Sequence, residues 1–156
     1  MRLNFISFLS TAAVMVFLVA IPVAASATNP QSCYDGYVYL NADEYKKSIS
    51  KLSACLRSKS VTVESRAIAY YNRAVAYFFL FDEELYKNDN YKKADKYLFK
   101  ALEDVEKSIE LDPVGTPKAY CLRGWIYLEE SWGMYGYEDL DKGIAMGAPK
   151  DFCDDR

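Results

Sequence analysis

Two phrases in this chain each occur twice, at two different spacings. Ala69-Tyr70-Tyr71-Asn72-Arg73-Ala74-Val75-Ala76-Tyr77 returns fifty residues later as Ala119-Tyr120-Cys121-Leu122-Arg123-Gly124-Trp125-Ile126-Tyr127. Glu103-Asp104-Val105-Glu106-Lys107-Ser108-Ile109 returns thirty-five residues later as Glu138-Asp139-Leu140-Asp141-Lys142-Gly143-Ile144. A period in the thirties marks stacked helical hairpins, because a single hairpin cannot bury its apolar face alone. Such a stack builds an extended surface for binding rather than a catalytic pocket.

The first residues read as an export signal. Arg2 opens the chain, Phe5 to Val23 is almost wholly apolar, and Ala25-Ser26-Ala27 is a small-x-small site with Pro22 upstream. Residues 1–27 are therefore expected to be a secretory signal peptide cleaved after Ala27, leaving a 28–156 helical-repeat domain in the periplasm or outside the cell. A retained membrane anchor is the rival, and no basic stop-transfer cluster follows the apolar stretch to favour it.

Charge and composition remove several functions. The net charge is −3 and no basic run exceeds Lys46-Lys47 or Lys92-Lys93, which argues against nucleic acid or anionic lipid as partner. With no histidine at all, His-dependent triads, His metal sites and imidazole pH sensing are excluded. The four cysteines lack CxxC spacing, so neither zinc nor redox catalysis is expected, and no cofactor. An even count in an exported chain implies two disulfides in one of three connectivities. Cys33–Cys55 and Cys121–Cys153 are favoured, since each pair lies within one end of the chain.

Helical periodicity is weak over Pro30 to Leu40, where Cys33, Tyr34, Tyr37 and Leu40 recur, and stronger after Ala42-Asp43-Glu44, where Tyr45, Ile49, Leu52 and Leu56 form a stripe. Glu64 to about Tyr86 and Tyr91 to Leu111 read as two long helices around an Asn-rich turn, the second stopped by Asp112-Pro113. Pro117 opens a helix running to about Ser131, Gly133 and Gly136 punctuate the next turn, and a last helix covers roughly Tyr137 to Met146.

At these positions the chain resembles the tetratricopeptide repeat (TPR) family in its exported bacterial form. Tyr70…Ala74…Tyr77 and Tyr120…Gly124…Tyr127 carry the resemblance on first helices; Ala101…Val105…Ser108…Pro113 and, more loosely, Gly136…Leu140…Gly143 carry it on second helices. A fainter copy lies in Gly36…Tyr39…Ser48…Leu52…Cys55, and Gly147 is similar to the close of a Sel1-like repeat. The resemblance implies a short right-handed α-solenoid of about three antiparallel hairpins. The unequal spacings leave about fifteen extra residues between Tyr77 and Ala101, so the central hairpin is expected to be extended and to project. Four consecutive apolar residues, Phe78 to Phe81, cannot all face one neighbour, so some are expected to face solvent, a groove or a partner.

Arginine on a packing face needs a partner, and Asp104 and Asp139 occupy equivalent second-helix places; Arg73–Asp104 and Arg123–Asp139 are the expected ion pairs. One step round the first helices lie Tyr71, Val75, Phe78 and Phe79, then Trp125 and Leu128. The resemblance implies that this face lines a concave groove, making those six residues the candidate contacts for a peptide or protein partner. The rival is that the C-terminal tail covers them. Adjacent carboxylates, Glu83-Glu84 and Glu129-Glu130, read as solvated charge rather than a catalytic pair. The leading expectation is a non-enzymatic interaction module of the bacterial envelope. The runner-up is an inhibitor or immunity-type protein acting through the hairpin tip near Phe81, Tyr86 and Tyr91.

Overall fold

Three pairs of helices and one terminal turn make up the structure, a computed structural model that describes residues 29–154. The proposed signal segment 1–27, with its Ala25–Ala27 site, lies outside the described residues, as do Thr28, Asp155 and Arg156. The helices are α1 (Gln31–Asn41), α2 (Tyr45–Arg57), α3 (Val63–Asp82), α4 (Tyr91–Leu111), α5 (Pro117–Glu129), α6 (Gly133–Ala145) and α7 (Lys150–Asp154). Among the described residues there is no strand, so the all-α expectation holds.

Local signals account for most boundaries. The Thr62 hydroxyl accepts a hydrogen bond from the Ser65 N–H at 3.2 Å and starts α3, and the Asn90 side chain does the same for α4 through Lys93 at 3.3 Å. After α4, the Asp112 carboxylate accepts from the Gly115 N–H at 2.7 Å, tightening the turn before Pro113 and its successors lead to Pro117 at the first position of α5. The segment before Leu40, weak in sequence, is a full helix. It is fixed onto α2 by the Cys33–Cys55 disulfide and by the Ser48 hydroxyl donating to the Gly36 carbonyl at 2.8 Å.

Each hairpin turns in the same way. The connecting residues are Ala42-Asp43-Glu44, Asn88-Asp89-Asn90 and Glu130-Ser131-Trp132, and in each the middle residue is left-handed, with φ of 57°, 49° and 65°. The next N–H then reaches back to an inner carbonyl: Glu44 to Tyr39, Trp132 to Tyr127 and Asn90 to Glu84. This is a Schellman-type closure built without glycine. The central reach is one residue longer because Glu83–Lys87 forms a π-helical turn that absorbs the extra residue.

Small residues set the crossings inside each hairpin. Gly124 and Gly136 face one another, and a Cβ on either would lie 2.7–2.8 Å from the other's carbonyl oxygen. Gly136 is therefore a packing residue inside α6, which begins at Gly133; the sequence reading that used both glycines as turn punctuation and began this helix at Tyr137 is corrected. Ala74 and Ala101 hold the equivalent places in the central hairpin, both fully buried. Gly36, against which Leu52 packs, does so in the first.

α3 packs mainly on α4, α5 on α6 and α1 on α2; between hairpins α2 meets α3 and α4 meets α5. The first hairpin makes no helix–helix contact with the third among the described residues. α3 and α4, of 20 and 21 residues, outrun the 11–13 residues of α1, α2, α5 and α6, a difference of about 10–15 Å at 1.5 Å per residue. Among the described residues the backbone of the π-helical turn packs on α3 and α4 alone, while Glu83 borders the start of α2 and Tyr86 a cleft shared with α6.

The aromatic run at the base of that extension meets the expectation of an open residue at one position, Phe79. Phe78, Leu80 and Phe81 are all buried, and only Phe79 is open, at 44% exposure. α3 is the middle helix, with α2, α4 and α5 around it, so three of its sides have neighbours at this level. Phe78 stacks on Phe81 and on Trp125 of α5, while Phe79 stacks on Tyr45 of α2.

Candidate functional site

The open space lies where the first and third hairpins fail to meet. α3 forms the floor, α1 one wall, and the start of α5 with Gly147–Pro149 the other. The resulting cavity is about 630 Å³, within the range of enclosed small-ligand sites. Tyr34 and Tyr37 of α1, Ile68 and Tyr71 of α3, Pro117 and Pro149 supply most of its apolar lining. Gly147 shapes the far wall: at φ 99° it ends α6 with Ala148 N–H bonded back to the Gly143 carbonyl. Asn29 pins the near rim by donating to the Ser65 hydroxyl at 2.8 Å.

Polar groups at this cavity have unused hydrogen-bonding capacity. Asn72, 8% exposed, makes no side-chain hydrogen bond among the described residues. Thr116, also 8% exposed, is the N-cap of α5, yet its Oγ1 has no partner. Burial alone pushes the Tyr71 phenol well above its ordinary pKa. Lys118 is the only charged residue of the lining among the described residues, although the chain carries 22 carboxylates.

The six residues singled out in the sequence divide among three places. Tyr71, Val75 and Phe79 lie together on α3 and line a groove of about 400 Å³ with Tyr37, Leu40 and Lys118; it shares Tyr37, Tyr71, Asn72 and Lys118 with the larger cavity. Phe78, 4% exposed, faces the core instead of the groove. Trp125 and Leu128 meet the C-terminal helix: the Trp125 indole N–H donates to the Cys153 carbonyl at 3.1 Å, and its ring lies 5.0 Å from that of Phe152. Both border a separate cleft of about 770 Å³, beside Tyr86, Tyr137 and the carboxylates Asp82, Glu129, Asp141 and Asp154.

Two disulfides and two bidentate ion pairs brace the helices around these walls. Of the three possible connectivities the structure has Cys33–Cys55 and Cys121–Cys153, the second tying α7 to α5. Cys33, Tyr71 and Cys121 each lie three residues before the small crossing residue of their hairpin, and Cys55, Ser108 and Gly143 are their second-helix counterparts. A cysteine fills that second place only in the first hairpin. In the third, Gly143 leaves the Cys121 sulfur to reach α7, a Cβ there meeting it at 2.4 Å. Arg73 donates to both Asp104 oxygens at 2.6 and 2.8 Å, and Arg123 to both Asp139 oxygens at 2.6 and 2.9 Å. Burial works against the Arg73 charge and the Asp104 hydrogen bond outweighs it; at Arg123 the Asp139 hydrogen bond leads and burial opposes, so both guanidiniums end with raised pKa values.

Sequence reasoning missed Tyr34, Tyr37, Asn72, Thr116 and Lys118. A signal existed for Tyr37: aligning Gly36 with Ala74 and Gly124 puts it level with Val75 and Trp125. None existed for Thr116 or Lys118, which reach the cavity only through the spacing of the hairpins.

In comparison with known proteins, no family model matches this chain, and neither a curated protein nor a solved structure is found similar to it.

Proposed function

We propose that this chain is a non-enzymatic interaction module, a short right-handed TPR-like solenoid that holds a peptide or protein partner in the groove over α3. The observation that carries this reading is the gap between the first and third hairpins, which exposes aromatic side chains along a trough with α3 as its floor. Neighbour-only contacts between hairpins are what a solenoid requires. Exposed aromatics in a concave setting are the usual anchors for a bound segment, and here Tyr37, Phe79 and the side of Tyr71 supply them. Export to the bacterial envelope, with removal of residues 1–27, belongs to the same proposal. The two disulfides favour an oxidising compartment, and no helix among the described residues is long and apolar enough to cross a membrane.

The test is selection of a displayed peptide library, followed by binding of the enriched peptides to Phe79→Asp and Val75→Asp variants. Enriched peptides that bind the parent and lose at least about tenfold in affinity to both variants, equivalent to 1.4 kcal/mol, support the groove. Peptides that bind all three proteins equally overturn it.

A second reading has its own observation. Tyr86 and Tyr91, 68% and 63% exposed, stand at the projecting end of the central hairpin, as an inhibitor of a partner enzyme would place them. Phe81 is buried and drops out of that surface. Tyr86→Asp separates the two readings, since it leaves groove binding intact and abolishes tip binding.

A further inference from the structure

The 630 Å³ cavity has a chemistry that a peptide trough does not need. Among the described residues its lining includes no aspartate or glutamate, in a chain with more carboxylates than cations. Lys118 stands at one side, in the first turn of α5, whose helix is 13 residues long. The N-terminus of such a helix favours negative charge, and the residues placed there leave it unneutralised: Pro117 has no N–H, α5 has no acidic residue in its first turn, and Thr116 makes no capping bond. Thr116 Oγ1 is buried beside the cavity and has no partner among the described residues, while the Asn72 amide on the floor stays open to solvent. Buried polar groups are ordinarily satisfied, so the unsatisfied Thr116 hydroxyl beside this cavity points to a ligand that completes it. Opposite them, Tyr34, Tyr37 and Ile68 offer exposed flat and branched apolar surface.

We propose that this cavity binds a small aromatic carboxylate. The aromatic body lies between Tyr34, Tyr37 and Ile68, and the carboxylate rests against the start of α5, where the Lys118 ammonium supplies a charge and Thr116 a hydroxyl. Asn72, with both a donor and an acceptor, meets any polar substituent that faces the floor. An amine is rejected because the only charge it meets is Lys118. The site shares Tyr37, Tyr71, Asn72 and Lys118 with the peptide groove, but Phe79 and Val75 do not line it, so failure of the peptide test at those two residues is distinguishable from failure here.

Isothermal titration of the full chain, disulfides intact, uses three probes of one shape: 4-biphenylacetate, 4-biphenylacetamide and 2-(biphenyl-4-yl)ethylamine. The carboxylate is expected to saturate at one site per chain, the amide to bind at least about tenfold more weakly, and the amine not at all. Lys118→Glu, at an exposed position, is expected to weaken the carboxylate at least about tenfold and to leave the amide unchanged, with the helical circular dichroism preserved. Ile68→Trp, also at an exposed position, is expected to block all three probes by filling the cavity. Thr116→Val distinguishes a ligand contact from a packing defect: it weakens the carboxylate if the hydroxyl serves the ligand. No saturable carboxylate binding, equal binding of carboxylate and amine, or an unchanged affinity in Lys118→Glu or Thr116→Val would each overturn the proposal.

Discussion

Lys51 donates to Asp35 at 3.1 Å across the first hairpin, in the positions that Asp104 and Arg73 fill in the second and Asp139 and Arg123 in the third. In every hairpin the first-helix member directly precedes the small crossing residue, Gly36, Ala74 or Gly124. The pair is thus a common feature of all three units, with its charges exchanged in the first. The exchanged pair is also the more open one, single-toothed where the others are bidentate.

Exchange predicts tolerance of exchange. Asp35→Arg alone places like charge beside Lys51 and is expected to lower the melting temperature. Asp35→Arg with Lys51→Asp recreates the pattern of the other hairpins and is expected to recover it. A double variant as unstable as the single one would mean that the pair is incidental.

Breaking a bidentate pair should cost far more. Asp104→Asn leaves the half-buried Arg73 guanidinium without its carboxylate, and a loss of about 3 kcal/mol is expected in urea unfolding. A change below about 1 kcal/mol would show that water or the neighbouring Ser53, which also accepts from Arg73, replaces the carboxylate.

The two glycines of α6 should respond in opposite ways. Gly136→Ala drives a methyl into the Gly124 carbonyl, a backbone atom that cannot step aside, and is expected to destabilise by about 1–3 kcal/mol. Gly133→Ala meets nothing within 4 Å and is expected to leave stability unchanged or slightly raised. Equal effects would remove the close crossing as the reason for glycine at 136.

Acid should act on the hairpin end. The hydrogen bond from Lys93 holds the buried Glu84 carboxylate below its ordinary pKa of 4.5. A carboxylate depressed in the folded state adds stability that is present above the unfolded value and lost as pH falls through the folded one. Glu84→Gln removes that contribution at every pH. The melting-temperature gap between parent and variant is therefore expected to be widest near neutrality and to close below about pH 4.5. A gap that persists undiminished at lower pH would assign the effect to packing.

Much of this architecture was legible in the residues. Tyr91–Leu111 could be read at both ends because Asn90 caps it and Asp112-Pro113 stops it. The helix at Gly133 was not, since glycine serves equally at turns and at close helix crossings and one sequence cannot say which. Its true turn residue is Ser131, whose left-handed φ nothing in its chemistry announces. The run Phe78 to Phe81 was legible in part: Phe79 is the open residue that four consecutive apolar positions require, while Phe78 is buried because α3 has neighbours on three sides. Asp35–Lys51 was hidden because the first hairpin carries lysine in place of arginine and reverses the sign of the pair. The cavity itself is a gap between units distant in sequence, so only its aromatic wall at Tyr34 and Tyr37 left a trace, as helical spacing.

The added length of the central arms has a tidy geometry. Arg73 and Asp104 are 31 residues apart and Arg123 and Asp139 only 16, a difference of 15. Two further turns in each arm account for about 14 residues, and the π-helical turn takes the one left over. The ion pair, the small-residue crossing and the closing turn therefore keep their phase while the arm grows. Reach is a separate dial from grip in this molecule: whole turns can be spliced into or cut from both arms together, moving the tip outward or inward, while the trough at the base keeps its shape.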